Sequence, residues 1–279
     1  MTQLHYRLPH PNLREFFSLY YLLDSQGPVR DDHERAGMAQ IRFILKGEGQ
    51  MEFGDGHLAD CAGAFIVGPS ATAMKFSLSN PFYMFGMGFL PAGWGALTGK
   101  SAADYTDRAI AATELFPAIE RHVKTLSACA DADEMTAAAD AVLLPLIRDA
   151  DPKIIEFTRM VDGWLASDVS PDINTLHDQT QLSDRQLTRK VKQYYGHPPK
   201  YLARKYRALR AARAFIEADP DEADFLRDAF YDQSHMIREV KLFTGTTPAK
   251  LRTQESEFAE LIDQRAQYDG QINPLSSQT

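Results

Sequence analysis

A chain of 279 residues is long enough for two ordinary domains, and 44% hydrophobic with 24% charged side chains describes a globular polypeptide able to bury a core. No apolar run reaches the roughly 18–20 residues that cross a bilayer, and the start Met1-Thr2-Gln3-Leu4-His5 lacks the basic and apolar blocks of a secretory signal. Two cysteines, Cys61 and Cys129, make neither a disulfide framework nor a metal cluster, so the expectation is a cytoplasmic protein with reduced thiols, no membrane partner and a formal net charge of -8.

Residues 40–95 read as strands. Gln40 to Leu45 alternates, Lys46-Gly47-Glu48-Gly49 turns, and Gln50 to Phe53 alternates again, which predicts a hairpin. Further strands are expected at Ala64–Val67, Ala73–Leu78 and Phe82–Phe89, punctuated by Gly68-Pro69 and Asn80-Pro81. Short strands at this spacing suggest a small β-barrel or sandwich. After Pro91 the pattern turns helical: Leu115, Ile119, Val123 and Leu126 form one stripe, and Met135, Ala139, Val142 and Ile147 another. Such helices suit either a dimer interface or packing within one chain. Asp151-Pro152 reads as a linker, and Gly270–Thr279 as a loose tail.

Between Arg185 and Arg213 lie ten basic residues and no acid, in a chain that is acidic overall. Such a window suits a polyanion, because clustered cations release counterions from phosphates. The spacing inside it is that of a helix-turn-helix. Asp172 or Asn174 caps a first helix over 172–179, Thr180-Gln181-Leu182 turns, and Ser183 caps a second helix from Asp184 to Tyr195 that Gly196 stops. Leu187, Val191 and Tyr194 face inward, and Arg185, Gln186, Thr188, Arg189, Lys192 and Gln193 face outward. A helix over Pro199–Glu217 follows, apolar on one face and strongly basic on the others. The arrangement then repeats, with a first helix over 225–230, Tyr231 in the turn, Asp232 as cap, a second helix over Gln233–Thr244, Gly245 as its stop and Pro248 beyond.

On these residues, about 172–252 resemble the DNA-binding domain of the AraC/XylS family of bacterial transcription regulators. Leu182 to Val191 with Gly196 carry the first motif, and Tyr231 to Lys241 with Gly245, Pro248 and Arg252 the second. The resemblance implies base contacts from Arg185, Gln186, Thr188 and Arg189 in the first unit, and from Gln233, His235, Arg238 and Glu239 in the second. It implies phosphate contacts from Lys192, Ser234 and Lys241. One departure stands out: Phe230-Tyr231 occupies the place where the family has Gly-Phe. The N-terminal half resembles, more weakly, the cupin-like modules that precede such domains.

The resemblance implies a two-domain α+β chain. Its expected parts are a small cupin-like β-barrel with flanking helices over 1–150, an all-α domain with two helix-turn-helix units joined by a long helix over 151–255, and a tail over 256–279. The histidines His5, His10, His33 and His57 lack a cupin metal spacing, and no nucleophile elbow or phosphate loop is present, so neither metal, cofactor nor catalysis is expected. The aromatic residues suit an effector pocket, with Arg42, Phe53 and Phe85 as candidate lining, although alternation places Arg42 and Phe43 on opposite faces. The expected partners are double-stranded DNA, a small-molecule effector, a second copy of the chain, and RNA polymerase should the protein activate. Two other readings fit the same residues: a module that only dimerises, and a cupin-like enzyme with a nucleic-acid tether.

Overall fold

The computed structural model describes residues 2–27, 29–217, 229–253 and 264–278. Among the described residues the N-terminal half forms ten strands: β1 (Thr2–Arg7), β2 (Phe17–Ser25), β3 (Val29–Glu34), β4 (Gln40–Lys46), β5 (Gly49–Glu52), β6 (Leu58–Cys61), β7 (Ala64–Val67), β8 (Met74–Leu78), β9 (Phe82–Phe89) and β10 (Ala109–Ala111). They form two separate sheets, of order β1-β2-β9-β4-β7-β10 and β3-β8-β5-β6.

Of the small β-barrel and the sandwich that the strand spacing suggests, the fold is an open two-sheet sandwich and not the expected cupin-like barrel, because no ladder joins one sheet to the other among the described residues. The expected hairpin of 40–45 with 50–53 is likewise absent. β4 pairs with β7 and β9, whereas β5 pairs with β6 and β8. The turn between β4 and β5 carries the chain from one sheet to the other at Gly47, whose φ is +85°. A Cβ there would lie 2.5 Å from the Pro81 carbonyl oxygen, so only glycine fits.

Alternation along the central strands feeds two cores. Ile44, Phe65, Val67, Phe82 and Met84 point between the sheets with Met51, Phe53 and Phe76. Ile41, Phe43, Phe85, Met87 and Phe89 point to the outer face of the larger sheet. That outer face is covered by α2 (Glu120–Ser127) and α3 (Ala132–Leu146), whose Leu126, Met135 and Ala139 are buried against it. A short helix α1 (Pro91–Thr98) leaves the end of β9 and packs on the C-terminal half. The thiol of Cys61 is part of the core between the sheets, where burial pushes it up to about 11.

Asp151-Pro152 begins a helix rather than a linker. Asp151 accepts a hydrogen bond from the Lys153 amide (2.9 Å) and Pro152 takes the first position of α4 (Pro152–Ser167). Then come α5 (Ile173–Thr180), α6 (Asp184–Tyr195), α7 (Pro199–Glu217), α8 (Gln233–Thr244) and α9 (Pro248–Thr253). Of the helix expected over 225–230, residues 225–228 lie outside the described residues. Among the described residues no helix is long and apolar enough to cross a membrane.

The expected loose tail folds back across both halves. Tyr268 Oη donates to the Tyr6 carbonyl (3.0 Å), Asp269 pairs with Arg213, and Asn273 Nδ2 donates to Asp162 (2.6 Å). Leu275 is fully buried in the core formed by α4, α6 and α7. A few anchoring side chains hold this segment, which is why no periodic pattern announces it.

Candidate nucleic-acid interface

The first helix-turn-helix unit is set by local chemistry. Asp172 caps α5 by accepting from the Asn174 amide (3.0 Å). Gln181 turns the chain with a left-handed backbone, and Ser183 caps α6 in a reciprocal box with Gln186, whose Oε1 accepts from the Ser183 amide (3.1 Å). Leu187 and Val191 bury one face of α6 against Phe157, Val161 and Leu176. His177 ties the unit together: its Nδ1 lies 2.9 Å from the Leu182 carbonyl oxygen and its Nε2 lies 2.7 Å from Asp184.

On the opposite face Arg185, Gln186, Arg189 and Lys192 are exposed, and Thr188 is half-buried beside them. These five residues share one side of one capped helix. Gln186 also serves the cap through its oxygen, and its amide nitrogen keeps two donors for a base edge.

The rest of the basic window behaves differently. Lys190 stands over the Phe157 ring at 4.2 Å. On α7, Arg204 holds Glu239 with two bonds of 3.0 and 2.8 Å, and Arg207 lies over the Phe230 ring at 5.0 Å. Arg210 caps the end of α4 by donating to the Leu165 and Asp168 carbonyls, and Arg213 pairs with Asp269. Lys205 is buried and donates to the Gly37 carbonyl (3.0 Å). The basic face of α7, read from its composition as open surface, is therefore mostly internal cement. Besides the face of α6, only Lys200 in this window stays fully exposed.

In the second unit Asp232 caps α8 by accepting from the His235 amide (2.7 Å). Gln233, Ser234, Arg238 and Lys241 are exposed along α8. His235 is half-buried, its ring edge-on to Phe230 at 5.8 Å, and its Nδ1 has no hydrogen-bond partner among the described residues. Glu239, expected among the base contacts, is buried against α7 in the Arg204 pair. The signal that could have placed it is its opposite charge to the row of arginines on the preceding helix.

Both recognition-type helices end against the N-terminal half. Gly196, the left-handed stop of α6, sits so close to Thr106 and Pro69 that a Cβ would lie 2.8 Å from the threonine hydroxyl. Gly245, the stop of α8, leaves no room for a Cβ beside the His33 ring. The carbonyls of Leu242 and Phe243, which the end of α8 leaves without helical partners, accept from the amides of Ala73 (3.0 Å) and Ala36 (2.8 Å). Tyr201 adds a bond to the Ala71 carbonyl (2.7 Å).

The three residues expected to line an effector pocket do not share one. Arg42 lies between the sheets, paired with Glu34 and donating to Tyr21 Oη (3.0 Å), beside a cavity of about 50 Å³ that Arg265 also lines. The carboxyl of Glu34 is held below its usual range: burial pushes it up, but the Arg42 guanidinium, with Arg265 and the Gln40 amide, outweighs that. Phe53 is in the same core but stacks on His57 (4.5 Å) away from the cavity. Phe85 points to the outer face, because it is one residue from Met84 along β9.

Comparison with known proteins agrees with the C-terminal geometry. Residues 176–254 match a family described as a helix-turn-helix domain, and residues 5–111 match a domain of unknown function. No curated protein matches. Among solved structures, ToxT from Vibrio cholerae is similar at a TM-score of 0.47 and 9% identity, covering 90% of this chain and 98% of ToxT. The AraC-like transcriptional activator CuxR is similar at a TM-score of 0.25 and 13% identity, covering 80% of this chain and 90% of that one. A cupin superfamily protein from Desulfitobacterium hafniense is similar at a TM-score of 0.26 and 13% identity, covering 32% of this chain and 77% of that one. Residues 176–254 of the chain are a helix-turn-helix domain.

Proposed function

We propose that the protein is a one-component transcription regulator that reads double-stranded DNA through α6 and α8, and whose N-terminal domain takes a small-molecule effector. The observation that carries the DNA reading is the outer face of α6. In a chain of net charge -8, Arg185, Arg189 and Lys192 stand exposed together on a capped helix of a helix-turn-helix domain, while neighbouring cations are spent inside the fold. Arg185 and Arg189 present guanidinium forks suited to guanine O6 and N7, and Gln186 and Thr188 lie between them. Lys192, Ser234 and Lys241 fix register on phosphates, and Gln233, Arg238 and His235 read a second segment, His235 after turning outward from Phe230.

The effector reading is supported by how the two halves meet. The N-terminal domain grips the C-terminal ends of both α6 and α8, so a ligand that shifts it shifts the relative placement of the two reading helices. The test of the DNA reading is alanine substitution at Arg185 and at Arg189. Each change is expected to cost about 1–3 kcal/mol on a cognate site and to relax base preference at one position. Unchanged affinity and preference in both variants would refute the role given to α6.

A further inference from the structure

Between the outer face of the six-stranded sheet and helices α2 and α3 lies a cavity of about 270 Å³. It is distinct from the small cavity between the sheets that Arg42 adjoins. A dry apolar cavity of about 150 Å³ accepts a benzene ring, so this one has room for a ring and a short chain. Its walls are aromatic and aliphatic: Phe43 and Phe89 rise from the sheet, Phe116 stacks at 6.4 Å from Phe89, and Ala139 forms part of the α3 side. Its polar rim is Arg121, His122 and Thr125 on α2. Thr125 Oγ1 donates to the Arg121 carbonyl (3.2 Å). Arg121 is exposed and donates through Nε to His122 Nε2 (3.2 Å), and no described residue engages its two terminal nitrogens. An aromatic hollow with one guanidinium at its rim is complementary to a ring joined to a carboxylate.

We propose that this cavity binds an aryl-alkyl carboxylate, with the ring among Phe43, Phe89 and Phe116 and the carboxylate on Arg121, and that occupancy reaches the DNA-reading helix through α1. The second half of this statement rests on the effector reading given above; the first does not. The path is a continuous packed one. Phe89 and Leu97 line the cavity at either end of α1. Trp94 on the same helix meets Phe89 edge-on at 5.9 Å and is anchored by its indole N–H to the Lys100 carbonyl (2.9 Å). Gly95, one residue further, abuts the ring of Tyr194 at the end of α6, where even a Cβ would come within 2.7 Å. Close packing of this kind passes a shift of α1 to α6 rather than absorbing it.

The experiment uses the full chain, titrated by calorimetry with 4-phenylbutanoate and with 4-phenylbutan-1-ol, followed by DNA affinity with and without the acid. The acid is expected to bind at least about tenfold more tightly than the alcohol, the size of one charge-assisted hydrogen bond. Arg121→Gln, an exposed change, should bring the two ligands to similar affinity while leaving the alcohol unaffected. Ala139→Phe should abolish both by filling the hollow, and Val142→Phe at its half-exposed edge serves the same purpose should the first variant fail to fold. Equal binding of acid and alcohol to the unaltered chain, binding untouched by either filling change, or no binding of either ligand would each overturn the site. A chain whose outer face is closed by a second copy, seen as ligand binding only on dilution to monomer, would overturn it as well. Binding that follows these rules but leaves DNA affinity unchanged would overturn the transmission through α1 and the effector reading while the site stands.

Discussion

Glu239 lies on the recognition-type helix α8 yet faces α7, where Arg204 grips it in a forked pair. Its carboxylate is buried and the guanidinium is partly open to water, so the pair acts as a hinge-pin between the two helices rather than as a reader of bases. Removing the acid leaves Arg204 without its partner and a polar gap at the helix contact. Glu239→Ala is expected to lower stability by about 1–3 kcal/mol, measured by denaturant unfolding, with base preference unchanged at the position read by α8. A changed preference with unchanged stability would return Glu239 to the DNA face.

Lys205 makes a pH-dependent statement about the same interface. Burial brings its ammonium down to about 7, Asp107 pulls the other way, and its Nζ is satisfied by the Gly37 carbonyl. An unfolded lysine titrates at about 10.4. Between these values the unfolded chain holds the proton that the folded chain has lost, so stability rises with pH through that window, by at most about 1.4 kcal/mol per pH unit. The stability of the natural chain relative to Lys205→Met should therefore improve between pH 7 and 9, where thermal or urea unfolding can follow it. A difference independent of pH would show that Lys205 stays charged in the fold.

At the scale of elements, what could be read from sequence and what could not divides by the range of the interactions. Ser183, Gly196, Asp232 and Gly245 act within a few residues of themselves, so the bounds of α6 and α8 follow from capping chemistry alone. The partner of a strand is chosen far away: β4 and β5 look like a hairpin, but β9 and β8 take them into different sheets. β2 lies before the stretch read as strands, and buried residues occur on both its faces, under the helices at Tyr20 and Leu22 and between the sheets at Leu19 and Leu23. The basic residues of α7 were legible as a cluster, but their roles depend on α4, α8 and the C-terminal segment, which no local pattern brings to them.

α1 is the element whose position matters most to coupling. Gly95→Ala would place a methyl 2.7 Å from the Tyr194 ring and 3.1 Å from Ile154, in a contact with no slack. Overpacking of this kind costs about 1–3 kcal/mol. We expect a lower melting temperature together with altered DNA affinity, because the end of α6 must move to make room. Lost stability with DNA affinity intact would mean that α1 and α6 are not coupled.

At the scale of the molecule, the N-terminal half grips the ends of both reading helices. Pro69 and Thr106 close on Gly196, His33 closes on Gly245, and Ala36 and Ala73 cap the last carbonyls of α8. The C-terminal segment adds a second tie, running from Tyr6 in β1 to Asp162 in α4. Two helices held at their ends by one body are fixed in spacing, and under the proposed function that spacing would let two units engage two segments of one duplex together. α6 exposes three cations (Arg185, Arg189 and Lys192) and α8 two (Arg238 and Lys241), so under the proposed function affinity should lean modestly on α6.

Selection of binding sites from random duplex DNA, with the full chain at one moderate salt concentration, tests this most directly. The account predicts an enriched motif of two short boxes about one helical turn apart, the box read by α6 being the stronger. Binding that enriches no motif, and that weakens alike for every sequence as salt rises, would contradict it.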